Sequence, residues 1–220
     1  MNSLIEQVNS VCQQVRLTTN GATTFKKLIN RVRREFKEQG LDLTIRTKKD
    51  KDLDTDRWYV MAYYDNENDL DGDTPIEVII HHNLNGDEEF GLHHITNFLI
   101  EIYDATVHEF RHQYQSKLRN YNDYVDPIES PYEAYLASQD ELDAYAFSIS
   151  IELLRVMSKD RASRYMSKIS IMSKMRKGSQ YVSPTFCAYL SIFGLSPVTK
   201  KLAKKVYKHL QTVDTRHIFM

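Results

Sequence analysis

His108 and His112 stand four residues apart with Glu109 beside the first, in the stretch TVHEFRHQYQ. No other local feature restricts the fold as much. Residues four apart share a face only in an α-helix, one turn from each other. Upstream, Ile95, Phe98, Leu99 and Ile102 recur at helical spacing. Together they predict one long helix over 93–118. Its apolar stripe must be covered by other elements, because a surface helix is stable mainly through the face it buries.

The flanking pattern supplies those elements. Residues 3–17 and 23–39 read as two helices, the second with Phe25, Leu28, Ile29, Val32 and Phe36 on one side and Gly40 as its stop. LDLTIRT (41–47), RWYVMAYYD (57–65) and PIEVIIHHN (75–83) read as three strands. Their short connections favour antiparallel pairing. Downstream, helices are expected over 132–157, 159–176, 184–193 and 197–212. No repeat or low-complexity linker interrupts the 220 residues. The expectation is one α+β domain over 1–220, mostly helical, with a small antiparallel sheet packed against the long helix. Within it, 1–40 supplies N-terminal helices, 41–157 the sheet and metal-site core, and 158–220 C-terminal helices.

Composition excludes several classes. With 29 basic and 30 acidic residues the formal charge is −1, which gives no general drive toward nucleic acid or anionic lipid. No apolar run reaches the roughly 18 residues of a membrane span. MNSLIEQVNS lacks the basic and apolar regions of a signal peptide. Cys12 and Cys187 form no Cys-x-x-Cys pair, so a thiolate zinc site is out, and two cysteines suit a reducing compartment. A cytoplasmic location follows as the expectation.

Two imidazoles on one helical face are suited to zinc, which accepts such nitrogens at roughly 2.0–2.1 Å. Glu109 lies about 100° round the helix from His108. It can stand beside the metal without binding it and act as general base on a water that zinc activates. With 8 His and 13 Glu in the chain, a chance occurrence of the pattern is about two in a hundred. A catalytic zinc site needs a third protein ligand. YEAYLASQDELDAYAFSIS offers Glu133, Asp140, Glu141 and Asp143. Glu141 is preferred because Ala144 and Ser148, at i+3 and i+7, keep its face small enough for close helix approach. Glu133 is the main rival and Asp143 the next. Tyr145, one turn beyond Glu141, is favoured over Tyr135, Tyr114 and Arg111 as the donor to a developing oxyanion. A packed tyrosine with an outward hydroxyl is the plainer alternative.

HEFRH, followed some thirty residues later by Glu141-Leu-Asp-Ala144-Tyr-Ala-Phe147-Ser, resembles the glutamate zincins, in particular the subgroup with HExxH and a later E-x-x-A-x-x-F-A helix. The run YLASQDELDAYA also resembles peptidase-like proteins encoded by tailed bacteriophages. The likeness spans roughly residues 75–155. It implies a zincin-like fold and a zinc metallopeptidase activity, with His108, His112 and Glu141 as Zn²⁺ ligands and Glu109 as base. It further implies a peptide or protein substrate and a virion or host protein partner, acting in the host cytoplasm or the virion. By the same likeness the strand PIEVIIHHN would hold substrate as an extra edge strand. Two positions depart from the subgroup: Tyr145 stands where Asn is usual, and Ser148 where Ala is. A zincin fold retained without turnover, as in a phage particle component, is the alternative from another class.

Other features have bland readings. His81-His82 and His93-His94 suggest a second metal, but adjacent strand residues point to opposite faces. Met166, Ile169, Ile171, Met172 and Met175 read as core or subunit contact. The five lysines of TKKLAKKVYKH (199–209) read as a solvated face rather than a nucleic-acid contact.

Overall fold

The structure, a computed structural model, describes residues 2–19, 21–41, 43–65, 68–69, 74–121, 132–168 and 182–220. The chain separates into two compact units, Met1–Asn122 with Phe219–Met220, and Asp123–Ile218. The boundary falls inside the 41–157 stretch that was expected to form one core. The fold class is α+β, as the sequence predicts, with helices predominating over two small sheets.

In the first unit, α1 (Asn2–Thr18) and α2 (Phe25–Glu38) precede the strands β2 (Leu43–Lys49), β3 (Trp58–Tyr63) and β4 (Ile76–His82). The long helix α3 (Leu92–Leu118) follows. Two-residue strands β1 (Thr23–Thr24) and β5 (Glu89–Phe90) pair antiparallel just before α2 and α3. They are too short to carry a periodic signal, which is why the sequence does not announce them. α2 begins on Thr24, whose side chain accepts from the Lys27 amide. Past its end, Gly40 adopts φ +66, a left-handed conformation that Gly takes without Cβ strain.

The main sheet corrects one expectation. Its order is β2-β4-β3, with β2 parallel to β4 and β3 antiparallel to it. The sequential neighbours β2 and β3 do not pair. β4 takes the middle because Ile76, Val78 and Ile80 are fully buried, whereas β2 ends in exposed lysines and β3 leaves Met61 and Tyr63 exposed. The most apolar strand gains most from having both edges covered. A second correction follows. PIEVIIHHN is the central strand, so it has no free edge on which a peptide could pair.

α3 packs on β3 and β4 and is covered by α1. Its Ile95, Phe98, Leu99, Ile102, Tyr103 and Val107 are all buried. Phe98 meets the rings of Phe25, Phe90 and Trp58 with centroids about 6 Å apart. The C-terminal Phe219 is buried against Tyr103, with the Arg16 guanidinium over its ring. No helix among the described residues is long and apolar enough to cross a membrane.

In the second unit the helix expected over 132–157 is two helices, α4 (Tyr132–Leu136) and α5 (Gln139–Val156). Ser138 interrupts them: its extended backbone cannot continue a helix, and its hydroxyl caps the next one. α6 (Lys159–Ser167), α7 (Pro184–Phe193) and α8 (Pro197–Thr212) pack around α5. Both α7 and α8 start with a serine cap followed by proline, a pairing suited to the first helical turn. Of the Met-Ile stripe, Met166 is buried; Ile169, Ile171, Met172 and Met175 lie outside the described residues. Cys12 and Cys187 are not joined in a disulfide.

Candidate metal centre

The histidine pair sits where the helical spacing predicts. His108 Nε2 and His112 Nε2 are 3.2 Å apart, with the two rings at 74°. Two nitrogens each bound at ~2.0–2.1 Å to a tetrahedral ion would lie ~3.3 Å apart. The imidazoles therefore already hold the separation that a shared zinc-sized cation requires. His112 Nδ1 lies 3.0 Å from Gln115 Oε1. An amide oxygen only accepts, so Nδ1 carries the proton and Nε2 keeps its lone pair for a cation. Gln115 is itself buried, one turn below on the same face. This orienting role was missed from the sequence, where a Gln three residues past a His is unremarkable.

Glu109 does not share that face. Its Oε2 accepts from the Tyr64 backbone amide at 3.0 Å, just past the end of β3. One carboxylate oxygen is thus held by the main chain of the sheet segment. Nothing in the local sequence around Tyr64 points to this contact, since any non-proline residue there carries the same donor.

Glu141 lies in the first turn of α5 and is 4 % exposed. The Ser138 hydroxyl caps the helix by accepting the Glu141 amide at 3.3 Å. The Tyr135 hydroxyl donates to Glu141 Oε1 at 2.5 Å. The rival acids are placed differently. Glu133 is exposed. Asp143 Oδ1 is engaged by His209 Nε2 at 3.1 Å and Lys205 Nζ at 3.5 Å. Ala144 is fully buried, and Ser148 is half-buried with its hydroxyl turned back to the Ala144 carbonyl. His108, His112 and Glu141 form a group that could hold a metal ion. Two imidazole nitrogens and one carboxylate oxygen form a donor set that suits zinc.

Replacing Ser138 with Ala removes the cap that sets the start of α5 just before Glu141. The expected cost is about 1 kcal/mol of stability, read as a lowered urea midpoint in the purified protein.

The tyrosines divide. Tyr145 turns its ring edge-on to Tyr189, with centroids 5.3 Å apart, and Tyr135 is the one whose hydroxyl reaches Glu141. Burial, with help from Tyr145 and Glu141, pushes the Tyr189 hydroxyl far above its ordinary value. It stays protonated and donates to the Leu136 carbonyl at 2.9 Å. Arg111 lies over the Tyr114 ring, 5.4 Å from its centroid.

The other histidine pairs are occupied with packing. His81 stacks on Tyr59 at 4.6 Å, and His82 packs against Phe25 at 4.5 Å. Burial lowers the His82 pKa, and its Nδ1 accepts the Leu84 amide. His94 meets Trp58 edge-on, and His93 bonds Asn97.

No family model, no curated protein and no solved structure matches this chain.

Proposed function

We propose that this protein is a zinc-dependent metallopeptidase-like hydrolase of the HExxH type, with His108, His112 and Glu141 as metal ligands and Glu109 as general base. The observation that carries the reading is the 3.2 Å separation of the two Nε2 atoms, with Gln115 orienting His112. When bound, zinc supplies a Lewis acid that acidifies a water and polarises a substrate carbonyl. Glu109 takes the proton of the attacking water and returns it to the leaving amine, a role suited to a carboxylate beside the ligands rather than among them. Tyr135 holds Glu141 Oε1 and so orients the third ligand, as outer hydrogen bonds to metal-binding carboxylates do. Tyr145 is proposed as a further hydroxyl donor to the developing oxyanion. The resemblance to glutamate zincins and to phage-encoded peptidase-like proteins supports the same reading and suggests a peptide or protein substrate.

Metal analysis by plasma emission tests the ligand set. Purified wild type is expected to hold about one zinc per chain, matching a single three-ligand site, and His108→Ala none. Zinc-loaded wild type should cleave members of a peptide library, and a chelator should stop it reversibly. Wild-type protein without tightly bound metal would overturn the reading. Metal bound with no cleavage by wild type would point instead to a zincin fold kept for a structural or binding role.

A further inference from the structure

Glu109 and Gln113 lie at i and i+4 on α3 and so share one face. Each meets the segment that connects β3 to β4. Glu109 Oε2 accepts from the Tyr64 amide at 3.0 Å. Gln113 Nε2 donates to the Thr74 carbonyl at 3.5 Å. The Asp69 carboxylate, with no exposed surface, joins the two ends of this segment. Its Oδ2 accepts from the Tyr64 hydroxyl, and its Oδ1 accepts from the Thr74 amide at 3.3 Å.

We propose that Tyr64 and Asp69 form a positioning clamp for Glu109: the Tyr64 side chain is locked by Asp69 so that its own backbone amide fixes one oxygen of the Glu109 carboxylate. The inference rests on the reading of Glu109 as general base and names the residues that aim it. A glutamate projecting from a helix has three rotatable side-chain bonds. One hydrogen bond to a main-chain donor, which has no rotamers of its own, restricts where that carboxylate oxygen can lie. The donor can only be as well placed as the residue that bears it, and an aromatic side chain tied at its hydroxyl is a stiff anchor. Burial and the Asp69 carboxylate push the Tyr64 hydroxyl well above its usual value, so it stays a donor throughout the neutral range. Tyr64 and Asp69 are positioning residues, since neither is assigned contact with substrate.

The clamp has a readout that needs no substrate. By NMR, hydrogen exchange of the Tyr64 amide should be slowed in wild type, and should speed up in Glu109→Ala, Tyr64→Phe and Asp69→Asn. In zinc-loaded protein, Tyr64→Phe and Asp69→Asn should lower kcat on the order of 10- to 100-fold, as misplacement of a reacting group does. KM and zinc content should stay unchanged. A merely structural role would move thermal stability without this split. Free exchange of the Tyr64 amide in wild type overturns the clamp, as does wild-type kcat in both zinc-loaded variants. Should Asp69→Asn fail to fold, Tyr64→Phe, which removes one hydroxyl, carries the kinetic test, and the exchange measurement on Glu109→Ala needs neither. Inactive wild-type protein would overturn the hydrolase reading itself, and the Tyr64 exchange rate would still decide whether Glu109 is clamped.

Discussion

Glu109→Gln is expected to keep its zinc and lose hydrolysis, with kcat falling on the order of 10²–10⁴-fold, the range for removal of a general base. The expectation follows from where the carboxylate stands. His108 and His112 supply the imidazoles, and Glu109 is turned to the Tyr64 amide instead. Gln is nearly the same shape, and its carbonyl oxygen can still accept that amide. What it cannot do is take a proton from water. Metal analysis and single-turnover cleavage on the same preparation separate the two effects. Loss of zinc together with activity would make Glu109 a ligand or a structural support, and retention of full activity would remove it from the chemistry altogether.

The second large effect lies on the same helix, two turns earlier. Burial, reinforced by the neighbouring Asp104, pushes the Glu101 carboxyl up to about 7 from its ordinary 4.5. Trp58 and the Val60 backbone oppose this more weakly. The folded state therefore keeps the Glu101 proton after the unfolded chain has released it. The stability this contributes is full below the ordinary value and is lost as pH rises through about 7, where it amounts to about 3 kcal/mol. Gln cannot ionise and should escape that loss. Glu101→Gln is expected to match wild type near the acid end of the window. At about pH 8 it should be more stable by up to about 3 kcal/mol. Urea midpoints at the two pH values check this, and an equal difference at both would show that Glu101 ionisation is not the cause.

Much of the helical frame was legible because its signals are local. Phe98, Leu99 and Ile102 share a stripe that any helix spanning them must bury. Ser183-Pro184 and Ser196-Pro197 announce helix starts by chemistry within a few bonds. The sheet was legible strand by strand but not in its pairing. Alternation in LTIRTKK and IEVIIHH says that each is a strand. It does not say that they lie side by side and parallel with β3 on the far edge. Ser138 shows the same limit at smaller scale. It reads as an ordinary polar residue within a helical pattern, and its role as a cap depends on the backbone turning there.

The spacing of His108 and His112 needs only the geometry of one helix, so the sequence alone determined that two imidazoles would face one point. The surroundings of each candidate acid are a different kind of question. Glu133, Glu141 and Asp143 carry the same functional group within eleven residues. Burial, a hydroxyl from Tyr135, and the engagement of Asp143 by His209 and Lys205 are what tell them apart. The Tyr64 amide on Glu109 could not be read from residue types at all, because every non-proline residue carries the same donor. Periodicity is written in neighbours along the chain. The engagement of Asp143 by His209 and the main-chain contact on Glu109 arise between segments far apart in it, and only packing brings them together.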